Sequence, residues 1–271
     1  MRSAPAISGG TGGAGASGTA AGPVSVALDR LQVAEGIALT NLRADLNSVG
    51  GLHGQFRGLI NGEAQVSGVL VAGDDGPSVR LQSDDGGAAL RAAGIYANAY
   101  GGEMDLILEA TGQPGSYDGR LSVDGPRLRN APAVAELLNL ISVVGLLEQL
   151  SGDGINLGDV DARFRLTPER IRLREGTAVG PSLGLSMDGV YDIASRQFEM
   201  QGVISPIYVV NGLIGAIFAP RREGLFGFSY MLRGTRADTN VTVNPLSILT
   251  PGVFREIFRA PPPDFLDRGQ D

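Results

Sequence analysis

The chain has 271 residues; 43% are hydrophobic, 41 are glycine, none is cysteine, and the formal net charge is −7. This length suffices for one large β domain or two small ones, and the absence of cysteine excludes disulfides, thiolate chemistry and cysteine-ligated metals. Nucleic-acid binding is disfavoured by the acidic balance, since all 22 basic residues are arginines dispersed along the chain.

The first 22 residues predict a connection rather than a folded element. Residues 8–22 read SGGTGGAGASGTAAG, a composition typical of a flexible linker. No basic segment followed by an apolar run precedes it, so no signal peptide is visible. We therefore expect a piece of a longer exported protein, cut near this linker, although a cytosolic protein remains the alternative.

Short alternating segments separated by glycine-rich turns predict antiparallel strands over residues 23–125. The alternation slips phase once within residues 37–46, which indicates a β-bulge. Leu52–Ile60 and Glu63–Val71 flank the dipeptide Asn61-Gly62, which strongly predicts a hairpin. We therefore expect consecutive strands to pair with each other as a meander.

One strongly apolar helix is expected in the middle of the chain. Apolar residues recur at helical spacing around most of the circumference of Ala131–Leu150, and Pro132 suits the first helical turn. The sequence predicts that Gly152 and Gly154 end this helix. Before it, Ala88–Tyr96 is expected to form one or two helical turns. A long apolar helix among strands must be buried, cover an apolar sheet or contact lipid.

Strands resume over residues 160–204, each with one apolar and one polar face, as in an antiparallel sheet that is wet on one side. Two apolar stretches, Val203–Pro220 and Leu246–Phe258, interrupt this pattern. The first approaches the length of a membrane span, but its prolines and glycines and the strands on both sides favour a buried or interfacial helix. Residues 261–271 predict a disordered tail.

The predicted fold is all-β: an elongated, curved antiparallel sheet over residues 23–260 that forms an open groove, with a few short apolar or amphipathic helices. Roughly a dozen strands offer more apolar surface than three short helices can cover. A large uncovered apolar face usually marks a binding site. The sequence therefore favours a trough for acyl chains, with a closed structural β domain as the alternative.

Catalysis has little support in the sequence. His53 is the only histidine, so the common nucleophile–base pairs and transition-metal sites lack their residues. The carboxylates of Asp74-Asp75, Asp84-Asp85 and Asp153 lie beside glycines, which is typical of solvated turns rather than of calcium sites. No phosphate-binding loop is present. We expect a non-enzymatic protein without catalytic residues, metal or cofactor.

Five segments taken in succession resemble the C-terminal region of AsmA-like proteins of Gram-negative bacteria, the relatives of YhdP and TamB. The resemblance extends from about Ala88 onward, roughly two thirds of the chain, and contains no diagnostic short motif. The five segments are LRAAGIYANAYGGEMDL (Leu90–Leu106), LRNAPAVAELLNLIS (Leu128–Ser142), LLEQLSGDGINLGDVDARFRL (Leu146–Leu166), VGPSLGLSMDGVYDIASRQFEMQGVISPIYVVN (Val179–Asn211) and VTVNPLSILTPGVFREIF (Val241–Phe258).

The resemblance implies a bridge-like lipid transfer protein, anchored in the inner membrane, whose periplasmic β-groove carries phospholipid toward the outer membrane. It implies phospholipid acyl chains as ligand and membrane contact at one end of the protein. A scaffold for outer-membrane protein assembly, with an envelope protein as partner, is the alternative. The family has no catalytic set to transfer.

Candidate lipid-contacting residues therefore come from the apolar faces of the three predicted helical stretches. They are Leu137, Leu138, Ile141, Val144, Leu147, Ile207, Val210, Leu213, Ile214, Ile217, Phe218, Phe254, Ile257 and Phe258.

Overall fold

The computed structural model describes residues 22–206, 227–235 and 238–244. Sixteen strands and three helices lie in these ranges. In chain order they are β1 Pro23–Ala34, β2 Ile37–Asn47, β3 His53–Ile60, β4 Ala64–Val71, β5 Ser78–Ser83, α1 Gly86–Ala92, β6 Ala99–Tyr100, β7 Glu103–Ala110, β8 Tyr117–Asp124, β9 Arg127–Leu128, α2 Pro132–Leu140, α3 Val144–Ser151, β10 Ile155–Asn156, β11 Asp159–Leu166, β12 Arg170–Val179, β13 Leu183–Asp192, β14 Phe198–Pro206, β15 Phe228–Gly234 and β16 Thr239–Asn244.

Thirteen of the strands form one antiparallel sheet in the order β1-β2-β3-β4-β5-β7-β8-β11-β12-β13-β14-β15-β16. Each strand therefore pairs with the next one of this sheet along the chain, and β1 and β16 are the outermost of the described strands. The remaining strands form a small sheet in the order β10-β9-β6. The predicted fold class, an open antiparallel β-sheet with a few short helices, is confirmed.

The tight hairpin turn and the β-bulge that the sequence predicts are both present. Asn61 and Gly62 have φ values of 48° and 82°, as the tight turn between β3 and β4 requires. The register between β2 and β3 shifts between Thr40 and Arg43, and Asn41 within this bulge has a φ of 50°. The bulge lets the apolar residues on either side of it face the same way.

Asn61 also ties three chain segments together through its side chain. Its Oδ1 accepts a 2.8 Å hydrogen bond from the Ala38 N–H, and its Nδ2 donates to the carbonyl oxygens of Gly36 (2.8 Å) and Ala92 (2.7 Å). The Ala92 carbonyl belongs to the last turn of α1, where helix carbonyls lack intrahelical partners. Asn61 thus holds α1 against the β1–β2 and β3–β4 turns.

We expect Asn61→Gly to lower the free energy of unfolding by about 1–2 kcal/mol, because it keeps the positive φ but removes these three hydrogen bonds. Asn41→Gly is the matched control, since Asn41 is exposed, has a similar φ and makes no side-chain hydrogen bond with any described residue. Urea denaturation of both variants measures the difference. Equal losses would mean that the bonds of Asn61 contribute nothing beyond its backbone conformation.

The first helix is confirmed, but α1 begins at Gly86, two residues before the predicted segment. The Asp85 side chain accepts a hydrogen bond from the Ala88 N–H and caps the helix. Gly86 and Gly87 allow the first turn of the helix to lie very close to the large sheet and to β6, because a larger residue at either position would clash. A Cβ on Gly86 would lie 2.9 Å from Val123 Cγ1, and one on Gly87 would lie 2.5 Å from Tyr100 Cα.

The prediction of one helix over Ala131–Leu150 is wrong, because two helices, α2 and α3, occupy this segment. Ser142, with φ of 59°, ends α2 in a Schellman arrangement. Its N–H donates to the Asn139 carbonyl (3.0 Å), and the Val143 N–H donates to the Leu138 carbonyl (3.0 Å). The expected C-terminal end is confirmed, since α3 stops at Ser151 with Gly152 as its C-cap.

The helices and the small sheet form a second layer on one face of the large sheet. Two core clusters lie between the layers, one under α1 and one under α2 and α3. In the α1 cluster, Ala89 and Ala92 pack with Ile60, Val66 and other residues of β2, β3, β4, β7 and β8. The larger cluster combines buried residues of α2, α3 and the small sheet with those of β13, β14, β15 and β16. The core therefore follows the helix-bearing part of the sheet.

Candidate functional site

The strand register places a continuous apolar surface on the face of the sheet that carries the helices. Residues paired across antiparallel strands point to the same face, so each row can be read from the pairing. We call two such rows the apolar rows. The first is Ala44, Phe56, Gly68, Leu81, Leu106, Leu121, Ala162, Gly176, Met187, Gly202, Tyr230 and Val243, and the second is Leu46, Gly54, Leu70, Val79, Leu108, Gly119, Phe164, Leu173, Gly189, Met200, Leu232 and Val241. Neither row contains a charged residue.

From β2 to β14, burial on this face changes along the strands, whereas at β15 and β16 Leu232 and Val241 of the second row are themselves buried. In the row next to the second layer, Met104 is 6% exposed and Val123 is 1% exposed. Two and four residues further along β7, on the same face, Leu106 and Leu108 are only partly buried. In the second apolar row every non-glycine residue from β2 to β14 is likewise half-buried. The second layer thus covers one margin of the apolar face and leaves the other accessible.

Glycines within the apolar rows make room for large neighbouring side chains. The Phe164 ring lies over Gly119, where an added Cβ would be 2.2 Å from the ring, and the Phe56 ring lies over Gly68, where it would be 2.4 Å away. Each aromatic ring therefore lies flat along the sheet instead of standing up from it. Gly68 and Gly119 therefore provide the space that these two rings occupy on the apolar face.

The opposite face of the sheet is charged, and several of its ions are paired across strands. Arg80 donates from Nε and Nη2 to the Asp105 carboxylate at 2.9 Å and 2.6 Å, and this contact raises the pKa of Arg80. Arg165 makes a similar two-point contact with Asp118 at 2.7 Å and 2.9 Å. These pairs are largely exposed and add little stability, so their main consequence is to keep this face hydrated.

The described candidates from the sequence lie on α2 and α3, where the helix break separates them. Leu137 and Leu138 are 2% and 0% exposed and belong to the larger core cluster. Ile141 and Leu147 are half-buried against the same cluster, whereas Val144 is 62% exposed. The five residues therefore do not form one continuous stripe, and a ligand could reach Leu137 or Leu138 only if α2 moved away.

The other nine candidates, Ile207, Val210, Leu213, Ile214, Ile217, Phe218, Phe254, Ile257 and Phe258, lie outside the described residues. Of the apolar stretch Val203–Pro220, the first four residues belong to β14. Lipid contact by these nine residues stays a prediction.

The candidates from the sequence do not include the half-buried apolar residues of the strands. Leu108, Phe164 and Leu173 lie in the second apolar row, with Gly119 between Leu108 and Phe164. The alternation of apolar and polar residues in β7, β11 and β12 was the signal for them. The same alternation predicts the strands themselves, whereas the candidate lipid-contacting residues came only from the predicted helical stretches.

Tyr96 is a partly buried ionisable group beside the core. Tyr96 packs against the larger core cluster, and its burial raises its pKa to about 12, so the phenol stays neutral at physiological pH. His53 lies at the start of β3, with Nδ1 2.9 Å from the Gly51 carbonyl oxygen. In the described ranges, no three histidine or acidic side chains come together as metal ligands would. The apolar rows are therefore the candidate functional surface.

None of the helices α1, α2 and α3 has the length and apolar character needed to cross a lipid bilayer. Comparison of the chain with protein-family models, curated proteins and solved structures gave no match. A functional assignment must therefore rest on the surface and its chemistry.

Proposed function

We propose that this chain binds phospholipid acyl chains along the apolar rows and is a non-enzymatic segment of a lipid-transporting protein. In this proposal it is the periplasmic part of an inner-membrane-anchored protein that supports outer-membrane lipid homeostasis. The observation that carries the proposal is the half-buried, uncharged second apolar row, which continues from β2 to β14 beside the second layer.

The dimensions of this surface suit several acyl chains in succession. Strands lie about 4.8 Å apart, so the half-buried second row from β2 to β14 extends about 43 Å along the sheet. The hydrocarbon core of a bilayer is about 30 Å thick, so the acyl chains of one leaflet span about 15 Å. A lipid can therefore occupy part of the rows and shift along them without meeting a charged side chain.

The shape of the site also separates acyl chains from water. The second layer forms a wall along one margin of the rows. Beneath it, Val123 of β8 and Ile204 of β14 are fully buried. An acyl chain lying on the exposed margin would bury apolar surface on both partners, and each Å2 removed from water contributes about 25 cal/mol. Non-directional contacts of this kind permit binding without selecting one headgroup.

Native mass spectrometry of the purified chain, followed by extraction and identification of the bound lipid, tests this proposal. We expect retained phospholipid in the unmodified chain and an approximately tenfold loss in Leu108→Glu, since a carboxylate in the row must stay hydrated. Ile107→Glu is the matched control, because Ile107 is the adjacent, half-buried residue on the charged face.

Circular dichroism of both variants checks that the sheet is intact. A lipid-free chain that takes up no phospholipid from vesicles would contradict the proposal, as would equal losses in the two variants. Copurification of an outer-membrane assembly protein without lipid would instead favour the scaffold function.

A further inference from the structure

The charged face of the sheet carries arginines that oppose one another across strands. Arg120 of β8 is paired with Arg163 of β11, and Arg165 of β11 is paired with Arg172 of β12. Like charges directly opposite each other destabilise a sheet. We call these four residues and Arg174 the arginine patch.

Arginines are concentrated toward one end of these three strands, although Asp118 and Glu175 lie among them. The carboxylates of Asp124, Asp159 and Asp161 lie near the strand ends that meet the second layer, and the arginine patch lies toward the opposite ends. This separation concentrates positive potential on one part of a chain whose net charge is −7.

A shallow cavity of about 140 Å3 opens within the patch, and Arg120, Arg163 and Arg174 line it together with Glu109 and Asp118. Such a volume accommodates a group of a few heavy atoms. The cavity therefore brings three guanidinium groups around one small space on an otherwise open sheet face.

The five arginines of the patch outnumber the carboxylates that line the cavity or lie within 4 Å of a patch arginine, which are Glu109, Asp118 and Glu175. Asp118 is engaged by Arg165 at 2.7 Å and lies 3.5 Å from Arg174. Glu175 lies 3.8 Å from Arg163, a distance too long for a hydrogen bond. Arg120 makes no hydrogen bond or ion pair with any residue in the described ranges. Donors of the cavity are thus left for an external anion.

We propose that the arginine patch binds a phosphate group through Arg120 and Arg163, with Arg174 completing the site. Guanidinium forks match phosphate oxygens in two-point hydrogen bonds, and a phosphate dianion relieves the repulsion between the paired arginines. The site lies on the face opposite to the apolar rows, so a lipid lying in those rows does not supply the phosphate. The inference is independent of acyl-chain binding.

Isothermal titration of the full chain with inorganic phosphate and with pyrophosphate, against chloride at matched ionic strength, tests this site. We expect saturable binding that Arg120→Gln and Arg163→Gln each weaken about fivefold through the loss of charge-assisted hydrogen bonds, and that added salt also weakens. Arg57→Gln is the matched control, because Arg57 faces Arg43 in the same kind of pair on the same face but lies four strands away.

Vesicles of phosphatidylcholine, with and without phosphatidylglycerol, distinguish the sources of the phosphate. Binding to the anionic vesicles that Arg120→Gln reduces assigns the site to lipid headgroups, and binding of soluble phosphate alone assigns it to phosphorylated solutes. Phosphate binding no stronger than chloride binding would overturn the proposal, and so would an equal loss in Arg57→Gln.

Discussion

Replacing Leu138 by alanine is expected to lower the free energy of unfolding by about 2–5 kcal/mol, because the side chain is wholly buried and its loss leaves a cavity. Leu138 lies on α2, which packs against β16, and it belongs to the larger core cluster with Ile204 and Leu232. The loss of its contacts therefore weakens the attachment of the second layer to the C-terminal strands. Urea denaturation followed by circular dichroism measures the change.

Leu140→Ala provides the control in the same helix. Leu140 is 52% exposed, so its truncation is expected to change stability by less than about 0.5 kcal/mol. If both variants lost the same stability, α2 would not be packed through the face that contains Leu138. A large loss confined to Leu140→Ala would place the opposite face of the helix in the core.

Replacing Gly202 by alanine is expected to cost about 3 kcal/mol, because the added methyl group has no room. Its Cβ would lie 1.8 Å from the Ser186 carbonyl oxygen and 2.8 Å from Tyr230 Oη. Tyr230 lies next to Gly202 and donates a 2.8 Å hydrogen bond to that same carbonyl. A methyl group would separate β13 from β14 or displace the Tyr230 ring, so the midpoint of urea denaturation should fall.

Gly145→Ala is the control for the added methyl group itself. An added Cβ on Gly145, at an exposed position of α3, has no neighbour within 4 Å, so alanine is expected to stabilise the helix by about 0.5 kcal/mol. The two variants should therefore shift the midpoint in opposite directions. A neutral Gly202→Ala would mean that β13 and β14 can move apart without cost.

The two proposed sites divide the two faces of one sheet between them. Cross-strand pairing directs apolar side chains such as Leu108 to the helix-bearing face and charged ones such as Arg120 to the other. Variants on one face should leave binding on the other unchanged, since the backbone of the sheet separates them. Measuring phosphate binding of Leu108→Glu and lipid retention of Arg120→Gln would reveal any coupling.

Strand positions and facing could be predicted because they depend on local pattern. The period-two alternation of β7 and β11 determines which residues share a face, whatever the sheet later packs against. The hairpin at Asn61-Gly62 and the bulge at Asn41 are also local, since both depend on residues that tolerate positive φ. These features confirm the predictions made from the sequence.

The helix break at Ser142 was not predictable in the same way. Apolar spacing continues from α2 into α3, and the residue that adopts the left-handed conformation is serine rather than the usual glycine. Val143 is then half-buried against the cluster that contains Leu138. The packing of α2 and α3 in the same core cluster compensates the strained backbone of Ser142. A periodic apolar pattern in the sequence does not encode this packing.

The amino-acid pattern alone therefore specifies an antiparallel meander with one apolar and one charged face, because alternation is a property of each strand. It does not specify how deeply an apolar residue is buried. Leu121 and Val123 lie two residues apart on the same face of β8, yet Val123 is 1% exposed and Leu121 remains half-buried. The difference arises because α1 lies against Val123, whereas Leu121 packs only at the margin of the same cluster. Long-range packing of the second layer therefore decides which part of the apolar face stays accessible.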